Sequence, residues 1–107
     1  MTETLFDKII KKDIPADIIY EDEKSIVIKD INPQAPVHLL IIPKKNIPML
    51  SSANEEDKEI LGHLMLVAGK VSKILKLDNT FNIVINNGAN AGQTVFHLHL
   101  HLLSGKS

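Results

Sequence analysis

The sequence predicts an α+β fold, a five-stranded antiparallel sheet carrying one long helix and a short N-terminal helix. Three observations lead there. One long stretch, residues 54–76, repeats apolar residues at helical spacing, whereas five short segments have the β-branched content or the alternation of strands. Most of those segments are joined by short polar loops rather than helices, which favours antiparallel pairing over alternating βαβ units. With 107 residues, 44% of them hydrophobic, the chain can build one core but not two, so residues 1–107 are expected to form a single domain.

Thr4, with Asp7 three residues on, can cap a short helix whose apolar face is Leu5, Phe6, Ile9 and Ile10, ending by Asp13-Ile14-Pro15. This helix should lie on the core as a lid. Ile18 to Tyr20 and Ser25 to Lys29 read as a hairpin around the polar turn Glu21-Asp22-Glu23-Lys24. The loop Asp30-Ile31-Asn32-Pro33-Gln34-Ala35-Pro36 precedes a third strand, Val37 to Ile42, which stops at Pro43. Asn46 to Ser52 leaves room for a helical turn. Asn54 is a good N-cap, and Glu55, Glu56 and Asp57 sit where the positive end of a helix dipole favours carboxylates. From there to about Lys76, the residues Ile60, Leu61, Leu64, Val67, Ala68, Val71, Ile74 and Leu75 form one buried stripe, with Lys58, Lys70 and Lys73 facing away. Thr80 to Asn86 reads as the fourth strand and Val95 to Leu103 as the fifth.

Composition narrows the chemistry. Twelve Lys and Arg against thirteen Asp and Glu give a net charge of -1, so no global positive field exists to hold nucleic acid or an anionic membrane. The absence of cysteine excludes disulfides, thiolate metal sites and a cysteine nucleophile. No Trp, one Tyr and three Phe leave no aromatic platform for stacking successive bases, so a bound base has to be gripped by aliphatic side chains. Met1-Thr2-Glu3-Thr4 lacks the basic start and apolar run of a signal peptide, and no apolar stretch nears the ~20 residues of a membrane span. A cytoplasmic protein is expected.

The chemistry concentrates in His97-Leu98-His99-Leu100-His101. In a strand the side-chain period is two, so the three histidines share one face and the leucines the other. Three readings compete: a solvated polar face, a metal site joined by His38, or an anion site. Zinc-bound histidine usually donates its second N–H to a carboxylate or carbonyl, and 86–95 contains no acid, so no metal is expected. The adjoining loop, Asn86-Asn87-Gly88-Ala89-Asn90-Ala91-Gly92-Gln93-Thr94, suits an anion. Its glycines let the backbone N–H groups approach a ligand, and Asn86, Gln93 and Thr94 add neutral donors. A neutral imidazole attacks phosphorus without metal or cofactor, and water then cleaves the covalent intermediate. His63 reads as a boundary residue, and Lys44-Lys45 as a solvated turn.

The stretch His97-Leu98-His99-Leu100-His101-Leu102-Leu103 resembles the His-x-His-x-His-x-x signature of the histidine triad family. The similarity continues through Phe6-Asp7-Lys8-Ile9-Ile10, Ile14-Pro15-Ala16, residues 30–38, Ile42-Pro43-Lys44-Lys45 and Gly92-Gln93-Thr94, which look like its nucleotide-binding HINT branch. That resemblance implies a homodimeric purine nucleoside phosphoramidase, which releases AMP and an amine from adenosine 5'-phosphoramidates and aminoacyl-adenylate adducts through a nucleotidyl-histidine intermediate. It implies His99 as nucleophile, with His97, His101, His38 and Thr94 in support. It likewise places Asp30 and Ile31 at the ribose and base, and Asn86, Gly92, Gln93, Thr94, His99 and His101 around the phosphate. Thr94 stands where Ser is usual, adding a methyl near the leaving group. The sequence ends at Ser107 without the Trp-Pro-Pro-Gly-like tail of many such proteins, so their substrate preferences are not expected to carry over.

Overall fold

A computed structural model describes residues 3–105; Met1, Thr2, Lys106 and Ser107, and with them both ends discussed above, lie outside the described residues. Helix α1 (Leu5–Ile10) begins at the expected capping box: Thr4 Oγ1 accepts from the Asp7 amide, and the Asp7 carboxylate accepts from the Thr4 amide. It ends earlier than Pro15 would require. Lys12 adopts a left-handed φ of 67°, its N–H donates to the Ile9 carbonyl, and the Asp13 N–H donates to the Lys8 carbonyl. These two bonds terminate the helix by satisfying its last carbonyls, before proline can act.

Strands β1 (Ile18–Glu21) and β2 (Ser25–Lys29) form the expected hairpin, whose turn is organised by Asp22 accepting from the Lys24 and Ser25 amides. Strand β3 (Val37–Pro43) pairs with the whole of β2, from Ser25↔Pro43 to Lys29↔Leu39. The chain then makes a short 3-10 turn at Leu50–Ser52 and a second at Glu55–Asp57, capped by Asn54, before α2 (Lys58–Ile74). The first turn of the expected helix is thus 3-10 rather than α. Strands β4 (Asn82–Val84) and β5 (Leu100–Ser104) complete an antiparallel sheet of order β1-β2-β3-β5-β4. Since β5 is antiparallel to both β3 and β4, those two run the same way, and α2 carries the chain back between them.

Period-two alternation divides the core into two layers. Val27, Leu39, Ile41, Leu100 and Leu102 face α2, whose Leu64, Val67, Ala68 and Val71 complete the larger cluster. Ile26, Ile28, Leu40 and Ile42 point to the other face and are covered by Phe6 and Ile9 of α1. The expected stripe of α2 fails at Ile74, which is exposed in the last turn; Leu77, beyond the helix, fills the core in its place. No helix among the described residues is long and apolar enough to cross a membrane.

Both C-terminal strands are shorter than expected: β4 covers 82–84 rather than 80–86, and β5 starts at Leu100 rather than Val95. The β3–β5 register pairs Ile41 with Leu100, so continuing it would set Leu98 opposite Pro43. Proline has no N–H to contribute to a ladder. Leu98 instead donates its N–H to the Ile47 carbonyl. His97 and His99 consequently precede the sheet, while His101 lies within it.

Candidate functional site

The histidines occupy the α1 face, opposite the leucines that pack on α2, as the alternation predicts. That face is covered rather than solvated: His97 is fully buried, and His99 and His38 nearly so. The Phe6 ring meets the imidazoles of His97 and His99 edge-on, with centroids 5.9 and 4.9 Å away.

Hydrogen bonding fixes which nitrogens carry protons. His99 Nδ1 lies 2.8 Å from the His97 carbonyl oxygen. A carbonyl only accepts, so Nδ1 carries the hydrogen and Nε2 keeps its lone pair. On the neighbouring histidines, the Gln34 backbone N–H donates to His38 Nδ1 at 3.0 Å, leaving the hydrogen of His38 on Nε2. That nitrogen lies 2.9 Å from His101 Nδ1 and therefore donates to it, which places the hydrogen of a neutral His101 on its own Nε2. One imidazole thus presents a lone pair and its neighbour an N–H, with ring centroids 5.0 Å apart. Burial pushes the His99 imidazole below its usual pKa; its bond to His97 opposes this, the charge of His97 adds to it, and Asp30 opposes it. Burial does the same for His101, helped by His99 and His38 and opposed by Asp30. Both rings are accordingly held in the neutral form at neutral pH.

His99 and His101 open onto a cavity of about 480 Å³ that Asp30, Ile31 and Thr94 also line. Its apolar walls come from residues whose sequence pattern marks them as helix, strand or turn and not as site, among them Phe6, Ile9, Ile14, Ile28 and Leu40. Ile31 is 91% exposed, an apolar side chain standing free at the edge of the cavity. Five of the expected residues therefore meet at one cavity. His97 and His38 lie behind it, each in contact with a histidine that lines it.

The loop 88–94 differs from expectation. Gly88 and Gly92 do have left-handed φ angles, 92° and 98°, which restrict both positions to glycine. Gln93, however, is buried and spends its amide inside the protein, accepting from the Gly88 N–H and donating to the Pro48 and Val95 carbonyls. It braces the loop and has no donor left for a phosphate. Asn86 packs beside Gly92, its side chain 3.7 Å from where a Cβ would stand there, and like Gly92 it is not among the cavity-lining residues.

The objection to a metal, that no acid is near, fails: Asp30 Oδ2 lies 3.4 Å from His38 Nε2, and donor atoms of Asp30, His38 and His101 all lie within 4.8 Å of one another. The donor chemistry still does not suit an ion. The two nitrogens are hydrogen-bonded to each other, and His38 can free Nε2 only by moving its proton to Nδ1, against the Gln34 N–H.

Two other groups keep their sequence reading, a boundary histidine and a solvated lysine turn, and gain partners in the fold. His63 is half-buried and bonded through Nε2 to Asp22 at 2.7 Å, tying α2 to the hairpin turn. Lys44 and Lys45 pair with Glu21 and Asp57.

The sequence profile of the HIT domain family matches residues 11–107. The chain belongs to the HIT family. Among HIT relatives, an uncharacterised HIT-like protein of Synechocystis is 57% identical over 104 residues, covering 97% of this chain and 91% of that one. A protein of Zea mays named 14 kDa zinc-binding protein is 50% identical, covering 96% and 82%. The HIT fold recurs in a HIT family hydrolase from Clostridium thermocellum, with a TM-score of 0.94 at 48% identity over 98% and 92% of the two chains. It recurs also in a histidine triad nucleotide-binding protein from Candida albicans, with a TM-score of 0.85 at 38% identity over 94% and 73%.

Proposed function

We propose that this HIT protein is a nucleotide hydrolase of the HINT branch that cleaves the P–N bond of purine nucleoside 5'-phosphoramidates and related aminoacyl adenylates. One observation carries the reading: the buried His99 presents an unprotonated Nε2 to a cavity of nucleoside size, next to an N–H of His101. The apolar walls receive the base, Asp30 accepts from the ribose hydroxyls, and Ile31 folds over the nucleoside.

In the first step the Nε2 lone pair of His99 forms a bond to phosphorus as the P–N bond breaks, its electron pair leaving with the amine. The amine takes up a proton through His101 Nε2 or the Thr94 hydroxyl. In the second, water adds to phosphorus, the P–Nε2 bond breaks, a proton of that water returns to the group that protonated the amine, and AMP leaves with His99 and its acid partner both restored. Donors aimed at the phosphoryl oxygens stabilise charge as it develops. Neutral imidazole is the form that attacks, and burial maintains it. The resemblance to a nucleotide-binding relative and to a HIT hydrolase supports both parts of this reading. The metal-binding name of the maize relative is not extended to this chain, because the His38–His101 hydrogen bond occupies the nitrogens that an ion would need.

The protein acts as a homodimer in this reading. Met65 and Leu66 are exposed on the outer side of α2, between Gly62 and Gly69, where nothing lies within 4 Å of an added Cβ, and β4 leaves a free sheet edge nearby in the chain order. Leu66→Asp should convert a dimer to monomer in sedimentation; a monomeric parent protein would refute it.

The deciding experiment measures AMP release from adenosine 5'-phosphoramidate against diadenosine polyphosphate hydrolysis. Faster phosphoramidate turnover is expected. Faster polyphosphate cleavage would place the protein in another branch, and tight AMP binding with negligible turnover of either would make it a nucleotide-responsive binding protein.

A further inference from the structure

His97 is the one member of the triad with no access to the cavity, and its surroundings connect it to the first turn of α1. Its Nε2 donates to the Pro43 carbonyl at 2.8 Å, which fixes one edge of the ring to the end of β3. The opposite edge faces α1: Nδ1 lies 3.1 Å from Thr4 Oγ1 and 3.5 Å from Asp7 Oδ1. Thr4 and Asp7 are themselves locked together by the capping box, and Asp7 Oδ2 also accepts from the Asn46 side chain at 2.9 Å. Thr4, Asp7, the Pro43 carbonyl and the Phe6 ring thus surround an imidazole from which solvent is excluded.

Such an arrangement exceeds what a helix cap requires. A capping box needs only its two reciprocal bonds, and these would hold α1 whether or not a histidine lay beside it. Here the same hydroxyl also meets His97, whose carbonyl holds His99 Nδ1 at 2.8 Å. The path from α1 to the attacking nitrogen therefore consists of Thr4 and Asp7, the His97 ring, its carbonyl, and His99. Leu5, Phe6 and Ile9 of the same helix line the cavity. The helix that touches a bound nucleoside is bonded directly to the residue that orients the nucleophile.

We propose that Thr4 and Asp7 are positioning residues for His99: by clamping the His97 ring they hold its carbonyl where it fixes the tautomer and direction of the nucleophile. The proposal rests on the assignment of His99 as nucleophile, but its geometry can be tested without turnover. Seating of α1 and alignment of His99 become one event, so the nucleophile is held in line only while the lid is in place.

Thr4→Val removes the hydroxyl at constant shape, Asp7→Asn removes the charge, and Thr4→Ser restores the hydroxyl. On adenosine 5'-phosphoramidate, the first two should lower kcat about tenfold, the scale of a small misplacement of a reacting group, with KM within about twofold. Thr4→Ser should recover the native kcat. Asn54→Ala, which removes a cap far from the cavity, should lower Tm without changing kcat. The independent readout is the ¹⁵N spectrum of the histidines, in which Thr4→Val and Asp7→Asn should weaken the Nδ1–H signature of His99. A native kcat together with a native His99 spectrum in both variants would overturn the proposal. So would a rise in KM alone, which would assign the two residues to nucleoside binding. If the parent protein fails to turn over the phosphoramidate, the proposed reaction falls, while the His99 spectrum still decides the positioning role.

Discussion

The Nδ1 of His99 donates to the carbonyl oxygen of His97, two residues earlier, where the chain bends before β5 begins. A strand-like backbone cannot ordinarily satisfy a side chain from its own neighbour on the same face, but here the ladder has ended and the His97 carbonyl is free to turn towards the ring. The interruption of the sheet at Pro43 thus leaves the His97 carbonyl free to fix the tautomer of His99, the proposed nucleophile.

His99→Ala should abolish AMP release from adenosine 5'-phosphoramidate, by on the order of 10³-fold or more, since the other imidazole lining the cavity, His101, carries its hydrogen on Nε2 and has no lone pair there to attack with. AMP binding, measured by calorimetry, should survive because the apolar walls remain. Retention of the native rate would remove His99 from the reaction.

Burial holds His99 below the ordinary imidazole value, so the reactive neutral form persists to lower pH than for a free histidine. The acid limb of kcat/KM should consequently lie below about 6.5, the reference value for histidine. Asp30 works in the opposite direction, its charge favouring protonated His99 and His101. Asp30→Asn should therefore move the limb further to acid, whatever it does to KM. A limb that moves towards neutral pH in this variant would contradict the assignment.

The two layers of the core were legible because Ile26, Val27 and Ile28, and likewise Leu39 to Ile42, alternate between α1 and α2 in the pattern a pleated strand imposes. The helix caps were legible too, since Thr4/Asp7 and Asn54/Asp57 act within four residues. What escaped depends on distant partners. The start of β5 is decided by Pro43, more than fifty residues away, and nothing local to Asp30 announces that its carboxylate will stand beside His38. Phe6 carries the helical spacing of a core residue and is one, yet it also forms a wall of the cavity, and spacing alone cannot separate the two roles.

Gln93, expected beside the phosphate, has its side-chain amide bonded inside the protein. Its replacement by Ala would leave the Gly88 N–H and the Pro48 and Val95 carbonyls short of a partner in a buried site. The expected loss is about 2–3 kcal/mol of stability in urea denaturation without any nucleotide. A direct phosphate ligand would behave oppositely, weakening AMP binding while leaving the free protein's stability unchanged.

Asp22 provides the clearest acid sensitivity outside the cavity. Burial raises its carboxyl, but bonds from the Lys24 amide, His63, and the Ser25 hydroxyl and amide outweigh that and hold it far below the ordinary carboxylate range. A carboxyl whose pKa falls on folding stabilises the fold fully above its unfolded value, about 3.9, and loses that contribution as pH drops through the folded value. Asp22→Ala should cost about 2 kcal/mol near neutral pH, the worth of a charge-assisted bond left without its acceptor. The gap between variant and parent should narrow below about pH 4, where Asp22 of the unfolded parent begins to take up protons while the folded carboxylate stays ionised. Asp22→Asn should fall between them, because an amide oxygen can still accept from the turn but carries no charge to meet His63. Chemical denaturation of the three proteins between pH 2 and 7 would resolve this, and a pH-independent gap would show that the carboxylate's charge contributes nothing to the link between α2 and the hairpin.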